Sequence, residues 1–387
     1  MENTTLFRAL IEEAKQVADE FKIVCVTGPR QAGKTTLCKL AFPEKSYVSL
    51  EDPDVLIKVI ENPRAFLNQY KKGAILDEVQ NVPILFNYLQ GIVDNKSENN
   101  QFVLSGSNNF LMQTSISQSL AGRVGYIELL PFTLQEIKDN NLNRSLLQHI
   151  LEGFYPAIVT KKSSYKRWTE NYIKTYIERD VRQIRNIGNI LVFHKFLKIC
   201  AGRAGQLLNV SSISKDIGVD VKTIEAWLGV LESSYIVFRL APLHPNFNKR
   251  VIKSPKLYFY DTGVLCSLLG IKSIESLEKS NNYGAIFENF ILAEVTKNRK
   301  NKQQDGNLYF FRDSIGNEVD LVIEKEVSYL PVEIKATSKF NKEQLRNLKW
   351  FQKVFRQDGG LLVNAGTENL SFEKVMNLVG WEEVKEL

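Results

Sequence analysis

Apolar positions along this chain follow two rhythms, and their alternation predicts the order of elements. Unbroken apolar runs fall at residues 23–27, 47–50, 73–77 and 101–105, each short and bounded by polar residues. Runs of that kind read as strands buried on both faces. Between them the spacing changes to that of helices: residues 4–19 place Leu6, Leu10, Ile11, Ala14 and Val17 on one face, and Glu51, Asp52 and Pro53 form a turn that starts a helix. Strands alternating with helices predict a parallel sheet with crossover connections. From about residue 133 to 205 the helical rhythm takes over. Residues 166–187 carry Trp168, Tyr172, Ile173, Tyr176, Ile177, Val181 and Ile184 as one apolar stripe, with Arg179, Arg182 and Arg185 on or near the other side. Residues 211–218 and 222–231 read as two helices joined by a turn, with a strand at 235–240, the pattern of a winged helix. Lys222 and Thr223 at the start of the second helix are suited to phosphate contacts. Period-two alternation returns at 318–323 and 330–336, followed by a helix marked by Leu345, Leu348, Phe351 and Phe355, a strand at 359–363 and a terminal cap at 377–387.

Composition adds limits. The 387 residues are enough for two or three domains with their own cores, and 44% hydrophobic and 24% charged residues are ordinary globular values. Four cysteines, Cys25, Cys38, Cys200 and Cys266, lie without a Cys-x-x-Cys pair and far from the three histidines, which argues against a zinc site or a disulfide framework and for a reduced, cytoplasmic protein. No apolar run approaches the ~20 residues of a membrane span, so no membrane association is expected. The net charge is +6, with basic clusters at Lys161, Lys162, Lys166 and Arg167; at Arg179, Arg182 and Arg185; at Lys249, Arg250, Lys253 and Lys256; and at Lys297, Arg299, Lys300 and Lys302. All lie after the first third of the chain, which makes DNA or RNA an expected partner there.

The first strand runs into Gly28-Pro29-Arg30-Gln31-Ala32-Gly33-Lys34-Thr35-Thr36, a phosphate-binding loop in a strand-to-helix setting. Glycines let successive backbone N–H groups turn inward around an anion, and the helix start adds its positive end. Residues 28–36 would cradle ATP, with Lys34 on the β- and γ-phosphates and the Thr35 hydroxyl on Mg2+. The strand at 73–77 ends in Asp77-Glu78. Asp77 would help to hold Mg2+ from its outer coordination sphere, and Glu78 would polarise the attacking water. The strand at 101–105 emerges into Ser107 and Asn108, either of which is placed to sense the γ-phosphate. Arg123, after Leu120-Ala121-Gly122, is a candidate for stabilising phosphate charge in its own subunit or a neighbour's, which would make the protein a homo-oligomer.

In this order and spacing, the loop at 28–35, the Ile75-Leu76-Asp77-Glu78 and Leu104-Ser105-Gly106-Ser107 strand ends, and Ala121-Gly122-Arg123 with Leu130-Pro131-Phe132 resemble the bacterial and archaeal AAA-type ATPases that carry a C-terminal domain of uncharacterised function. The resemblance spans essentially the whole chain. It implies an α/β, AAA-like P-loop NTPase core with a parallel sheet at 1–135, a helical and winged-helix region at 136–255, and an α+β restriction-endonuclease-like domain at 256–387.

The last third offers a second constellation. A hairpin centred near Glu326 and Val327 would set Asp320 opposite Glu333, with Lys335 on the same face as Glu333. Two carboxylates and a lysine suit metal-dependent phosphodiester cleavage: Asp320 and Glu333 as hard oxygen ligands for Mg2+, and Lys335 to position water or offset charge. The arrangement is similar to the PD-(D/E)xK nuclease superfamily. That resemblance implies a helix carboxylate such as Glu288 as a further metal ligand. Val319 stands where that family usually has proline. The expected function is a Mg2+-dependent ATPase coupled to a nucleic-acid-associated, nuclease-like module. The alternative is a nucleotide-gated interaction switch whose nuclease-like domain does not cut.

Overall fold

The structure is a computed structural model, and it describes residues 6–95, 97–107, 116, 119–142, 144–160, 163–177, 190–244, 254–304, 306–372 and 376–387. The expectations for Asn108, Lys161, Lys162, Arg179, Arg182, Arg185, Lys249, Arg250 and Lys253 lie outside the described residues. The chain divides into two compact units. The first is residues 1–132 with 233–235 and 300–303; the second is residues 133–232, 236–299 and 304–387.

Among the described residues the first unit is built on five parallel strands, β1 (Ile23–Thr27), β2 (Ser46–Ser49), β3 (Ala74–Asp77), β4 (Phe102–Ser105) and β5 (Val124–Glu128), in the order β2-β3-β4-β1-β5. Alternation along β1 separates the two cores. Ile23 and Cys25 join Leu76 and Leu104 on one face, while Val24 and Val26 join Ile75 and Val103 on the other. The second core is completed by the helix Leu10–Glu20, which buries Leu10, Ala14, Val17 and Ala18. The predicted turn at 51–53 is a helix start, with Asp52 accepting from the Asp54 N–H at 2.9 Å and Pro53 opening the helix Pro53–Glu61. All strands being parallel, their carboxyl ends share one edge, and the loops that carry the candidate chemistry leave from it.

Among the described residues the second unit holds eight strands, β6 (Val237–Pro242), β7 (Lys256–Phe259), β8 (Leu308–Arg312), β9 (Glu318–Glu324), β10 (Tyr329–Lys335), β11 (Gly360–Asn364), β12 (Leu370–Phe372) and β13 (Met376–Gly380). They run in the order β12-β13-β11-β10-β9-β8-β6-β7. The expected helix pair is present as Val210–Ile217 and Val221–Ser233, with Gly218 (φ 82) ending the first. Two expectations are corrected here. The boundary at 255/256 would separate β6 from β7, yet these strands pair antiparallel, and β6 also pairs with β8. Such pairing depends on partners distant in sequence, which local pattern does not report. Thr223 was expected to meet phosphate, but Asp220 already caps that helix, accepting from the Thr223 N–H at 2.9 Å and its hydroxyl at 2.5 Å. A carboxylate at that helix start repels a phosphate.

Two side chains set the second unit's geometry around β7. Asn289, on the helix Tyr283–Asn301, donates to the Phe259 carbonyl and accepts from the Phe259 N–H, both at 2.8 Å. This closes the exposed edge of β7 and fixes the helix beside it. Asp261 is buried, accepting from the N–H groups of Phe154 (2.7 Å) and Val264 (3.0 Å), the latter in the helix Thr262–Leu268. Gly153 (φ 80) leaves the space this requires, since a Cβ there would lie 2.4 Å from Asp261 Oδ1. Asp261→Ala strips two buried donors of their acceptor and removes a helix cap. Urea unfolding followed by circular dichroism is expected to give a loss of about 2–4 kcal/mol.

Candidate functional site

The loop after β1 owes its shape to particular residues. Gly28 has φ 146, and a Cβ there would lie 2.0 Å from the Leu129 carbonyl oxygen, so only glycine fits. Gln31 (φ 62) and Gly33 (φ 98) complete the turn into the helix Lys34–Ala41. Pro29 and Ala32 are buried, whereas Thr36 is exposed. Arg8, which sequence reasoning missed, braces the loop from beneath. It donates to the Ala32 carbonyl (3.2 Å) and the Leu130 carbonyl (2.6 Å), and its guanidinium lies 4.3 Å from the Phe132 ring centroid. The only sequence signal for it is an arginine inside an otherwise apolar stretch.

Lys34 is buried and donates to the carbonyls of Gly28 (3.0 Å) and Pro29 (2.9 Å). Burial draws its ammonium below its ordinary pKa, while Glu78 and Asp77 act in the opposite sense. Thr35 donates its hydroxyl to Asp77 Oδ2 at 2.7 Å. Tyr47 donates to the same oxygen at 2.9 Å, and Ser105 donates to Oδ1. Tyr47 and Ser105 were also missed. The parallel registers Ser49↔Asp77 and Asp77↔Ser105 put both strands beside this carboxylate, but only strand pairing reveals it. Glu78 sits at φ 55, a conformation that costs a non-glycine residue roughly 1–2 kcal/mol. Its carboxylate accepts from Gln80, and from Ser107 Oγ at 3.4 Å. Lys34, Thr35, Asp77, Glu78 and Ser107 thus occupy one edge of the sheet.

Arg123 does not join them, which corrects the expectation for its own chain. Its carbonyl accepts from Ile23 N–H, at the opposite end of β1 from the loop. Five residues at ~3.3 Å each put roughly 16 Å of strand between them. Its guanidinium holds Asp94 through Nε (2.5 Å) and Nη2 (2.9 Å) and donates to the Ala121 carbonyl (2.9 Å).

In the second unit, β9 and β10 form an antiparallel hairpin whose pairs run from Tyr329↔Glu324 to Val332↔Leu321, with Asp320 and Glu333 the next residues along each strand. Lys335 Nζ reaches Glu333 Oε1 at 2.5 Å and Asp320 Oδ2 at 3.6 Å, and Asp320 Oδ2 also accepts from the Ile334 N–H (2.8 Å). Asn347 donates to Glu333 Oε1 at 3.0 Å, while Glu333 Oε2 is buried without a hydrogen-bond partner. Glu288 meets Lys256 (3.2 Å) and the Tyr258 hydroxyl (2.6 Å), and Lys256 also binds Glu318 at 2.6 Å. Burial works against the Lys256 charge, but Glu288, Asp320 and Glu318 together hold its pKa above the ordinary value. Lysines therefore hold these carboxylates; among the described residues no group of three or more His, Cys, Asp or Glu side chains is arranged to hold a metal ion. Lys256, Tyr258, Glu318 and Asn347 were missed as members of this cluster. Lys256 and Lys297, expected on basic surfaces, are both buried, the latter paired with Glu294.

Burial, then the Asp320 charge, pushes Glu333 up to about 8 and Glu288 up to about 7. The unfolded chain releases both protons near the ordinary value of 4.5, but the folded chain keeps them to higher pH. Their contribution to stability is therefore full below about 4.5 and is lost as pH rises through 7 to 8. Thermal melts across pH 5–9 are expected to fall more steeply for wild type than for Glu333→Gln.

The four cysteines are free and buried, and no helix among the described residues is long and apolar enough to cross a membrane. Residues 20–138 match an AAA domain, so the first unit is an AAA-type P-loop ATPase-like domain. Residues 143–275 and 283–384 match two domains of unknown function, DUF8612 and DUF4143. Among solved structures, the Walker-type ATPase of Pyrococcus abyssi is similar at 12% identity and a TM-score of 0.43, over 67% of this chain and 94% of that one. Uncharacterized proteins of Mycobacterium tuberculosis and Mycobacterium bovis are each 31% identical over 319 residues, covering 82% of this chain and 70% of theirs. At that identity and coverage, this chain belongs to the family of these mycobacterial proteins.

Proposed function

We propose that this protein is a Mg2+-dependent ATPase whose nucleotide cycle is coupled to a C-terminal site acting on nucleic-acid phosphodiesters. The observation that carries the ATPase reading is the contact of Thr35 Oγ1 with Asp77 at 2.7 Å, directly behind a phosphate loop and beside Glu78. A hydroxyl and a carboxylate are hard oxygen donors of the kind Mg2+ takes, so this pair fits the ion that accompanies ATP. Bound there, Mg2+ would neutralise charge on the phosphates. Residues 28–36 hold the phosphates through their backbone N–H groups. Lys34 exchanges two loop carbonyls for phosphate oxygens, and Glu78, steadied by Gln80 and Ser107, takes a proton from the attacking water.

The phosphodiester reading rests on the Glu333–Asp320–Lys335 group, and above all on the unpartnered Glu333 Oε2. A buried carboxylate oxygen without a donor is costly unless something binds it. Asp320 and Glu333 would supply two oxygens to a divalent ion that keeps its other waters, and Lys335 would offset charge on the scissile phosphate, while Glu288, held by Lys256 and Tyr258, stays outside this pair. The test is incubation of the purified chain with labelled single- and double-stranded DNA and RNA, with Mg2+ or Mn2+ and with or without ATP. Metal-dependent cutting that disappears in Asp320→Asn supports the reading; no cutting by wild type under any of these conditions overturns it. The second reading, a nucleotide-gated switch without cleavage, is favoured by the hold of Lys256 and Lys335 on these carboxylates. It predicts ATP-dependent partner binding that Asp320→Asn leaves intact.

A further inference from the structure

The helix Arg346–Phe355 turns one face to the second unit's sheet and another to solvent. Asn347 reaches Glu333, while Lys349 and Lys353, one turn apart, line a groove of about 820 Å3. Lys342, in the 3-10 turn before the helix, and Arg356, just past its end, line the same groove. All four cations are exposed, and among the described residues none of them makes an ion pair and Asp358 is the one carboxylate in the lining. Lys353 and Arg356 also sit favourably at the helix carboxyl end, but that end does not account for Lys342 or Lys349. The groove further includes Phe372, half-buried and stacked on Phe340 with ring centroids 4.8 Å apart.

Cations along a groove with an aromatic ring in it are what a single nucleic-acid strand needs: charges that follow the phosphates and a flat face on which an unpaired base stacks. A duplex keeps its bases stacked on each other and has no use for the ring, and an acidic peptide has no base to place on it. From this we infer that the groove lined by Lys342, Lys349, Lys353, Arg356 and Phe372 binds single-stranded nucleic acid. The inference deepens the nucleic-acid part of the proposed function and rests on that reading for its biological meaning.

The experiment uses the full chain with a fluorescein-labelled oligothymidylate of about 20 nucleotides in EDTA without ATP, read by anisotropy over a range of salt concentrations. Lys349→Glu combined with Lys353→Glu is expected to weaken binding at least tenfold. It should also reduce the slope of log K against log salt by about 1.4, two phosphates at ~0.7 each. Phe372→Leu, which keeps an apolar contact with Phe340 but removes the stacking face, is expected to weaken binding roughly 5- to 100-fold at an unchanged salt slope. Circular dichroism and a melting profile equal to wild type in both variants verify that the second unit, which carries the groove, is folded. Unchanged affinity and slope in the double variant would overturn the inference, as would displacement of the strand by polyglutamate or by duplex as readily as by unlabelled oligothymidylate. If the double variant loses binding while wild type cuts nothing with any metal, the phosphodiester reading falls and the groove assignment stands. If cutting depends on Asp320 while the double variant binds normally, the reverse holds.

Discussion

Lys34→Ala is expected to lower ATP hydrolysis by about 10^2- to 10^3-fold or more and to weaken nucleotide binding, measured as phosphate release and as titration with a fluorescent ATP analogue. Lys34 is buried at the end of the loop, and its ammonium donates to the carbonyls of Gly28 and Pro29. Carbonyls are weaker partners than phosphate oxygens for an ammonium, and burial has already stripped this one of water. The ligand therefore meets a desolvated cation at small reorganisation cost. Alanine removes it without disturbing the glycine-dependent turn, since Gly28 and Gly33 hold the loop's shape. Circular dichroism and the melting profile should stay close to wild type.

Glu78→Gln is expected to separate binding from chemistry. The amide keeps the volume and one hydrogen-bonding oxygen but cannot take a proton, so turnover should fall by about 10^2- to 10^4-fold while the ATP analogue binds as before. The left-handed backbone at Glu78 adds to the argument: a conformation that costs energy persists where its surroundings fix it, and here it holds the carboxylate beside Ser107 and Gln80. If Glu78 served only stability, Glu78→Gln would alter the melting temperature and leave the rate unchanged.

These sites were legible in the sequence to different degrees, for physical reasons. The phosphate loop and the Asp77-Glu78 strand end depend on residues close together in the chain, so spacing and local apolar runs were sufficient. The β9–β10 register was legible for the same reason: a short turn near Glu326 and Val327 fixes which residues face each other. Arg123 was misread for its own chain because a motif's position in the chain does not say which end of a strand it occupies; it precedes β5, whereas the loop follows β1. Lys256 was misread because a charge count does not register burial. It lies on a strand enclosed by the helix Tyr283–Asn301, and its charge is matched by Glu288 and Glu318 rather than by an outside partner. Ser105 and Tyr47 were invisible because they reach Asp77 through strand pairing. The basic face at Lys349 and Lys353 was passed over because the apolar stripe of the same helix, Leu348 and Phe351, explained the segment as packing.

The Mg2+-dependent ATPase mechanism is tested by phosphate release from ATP by the purified wild-type chain, followed with saturating Mg2+ and again after chelation. It predicts steady turnover that stops on chelation and returns when Mg2+ is restored, with Glu78→Gln inactive under both conditions. Release at the same rate in the absence of a divalent ion, or wild-type turnover by Glu78→Gln, would contradict it.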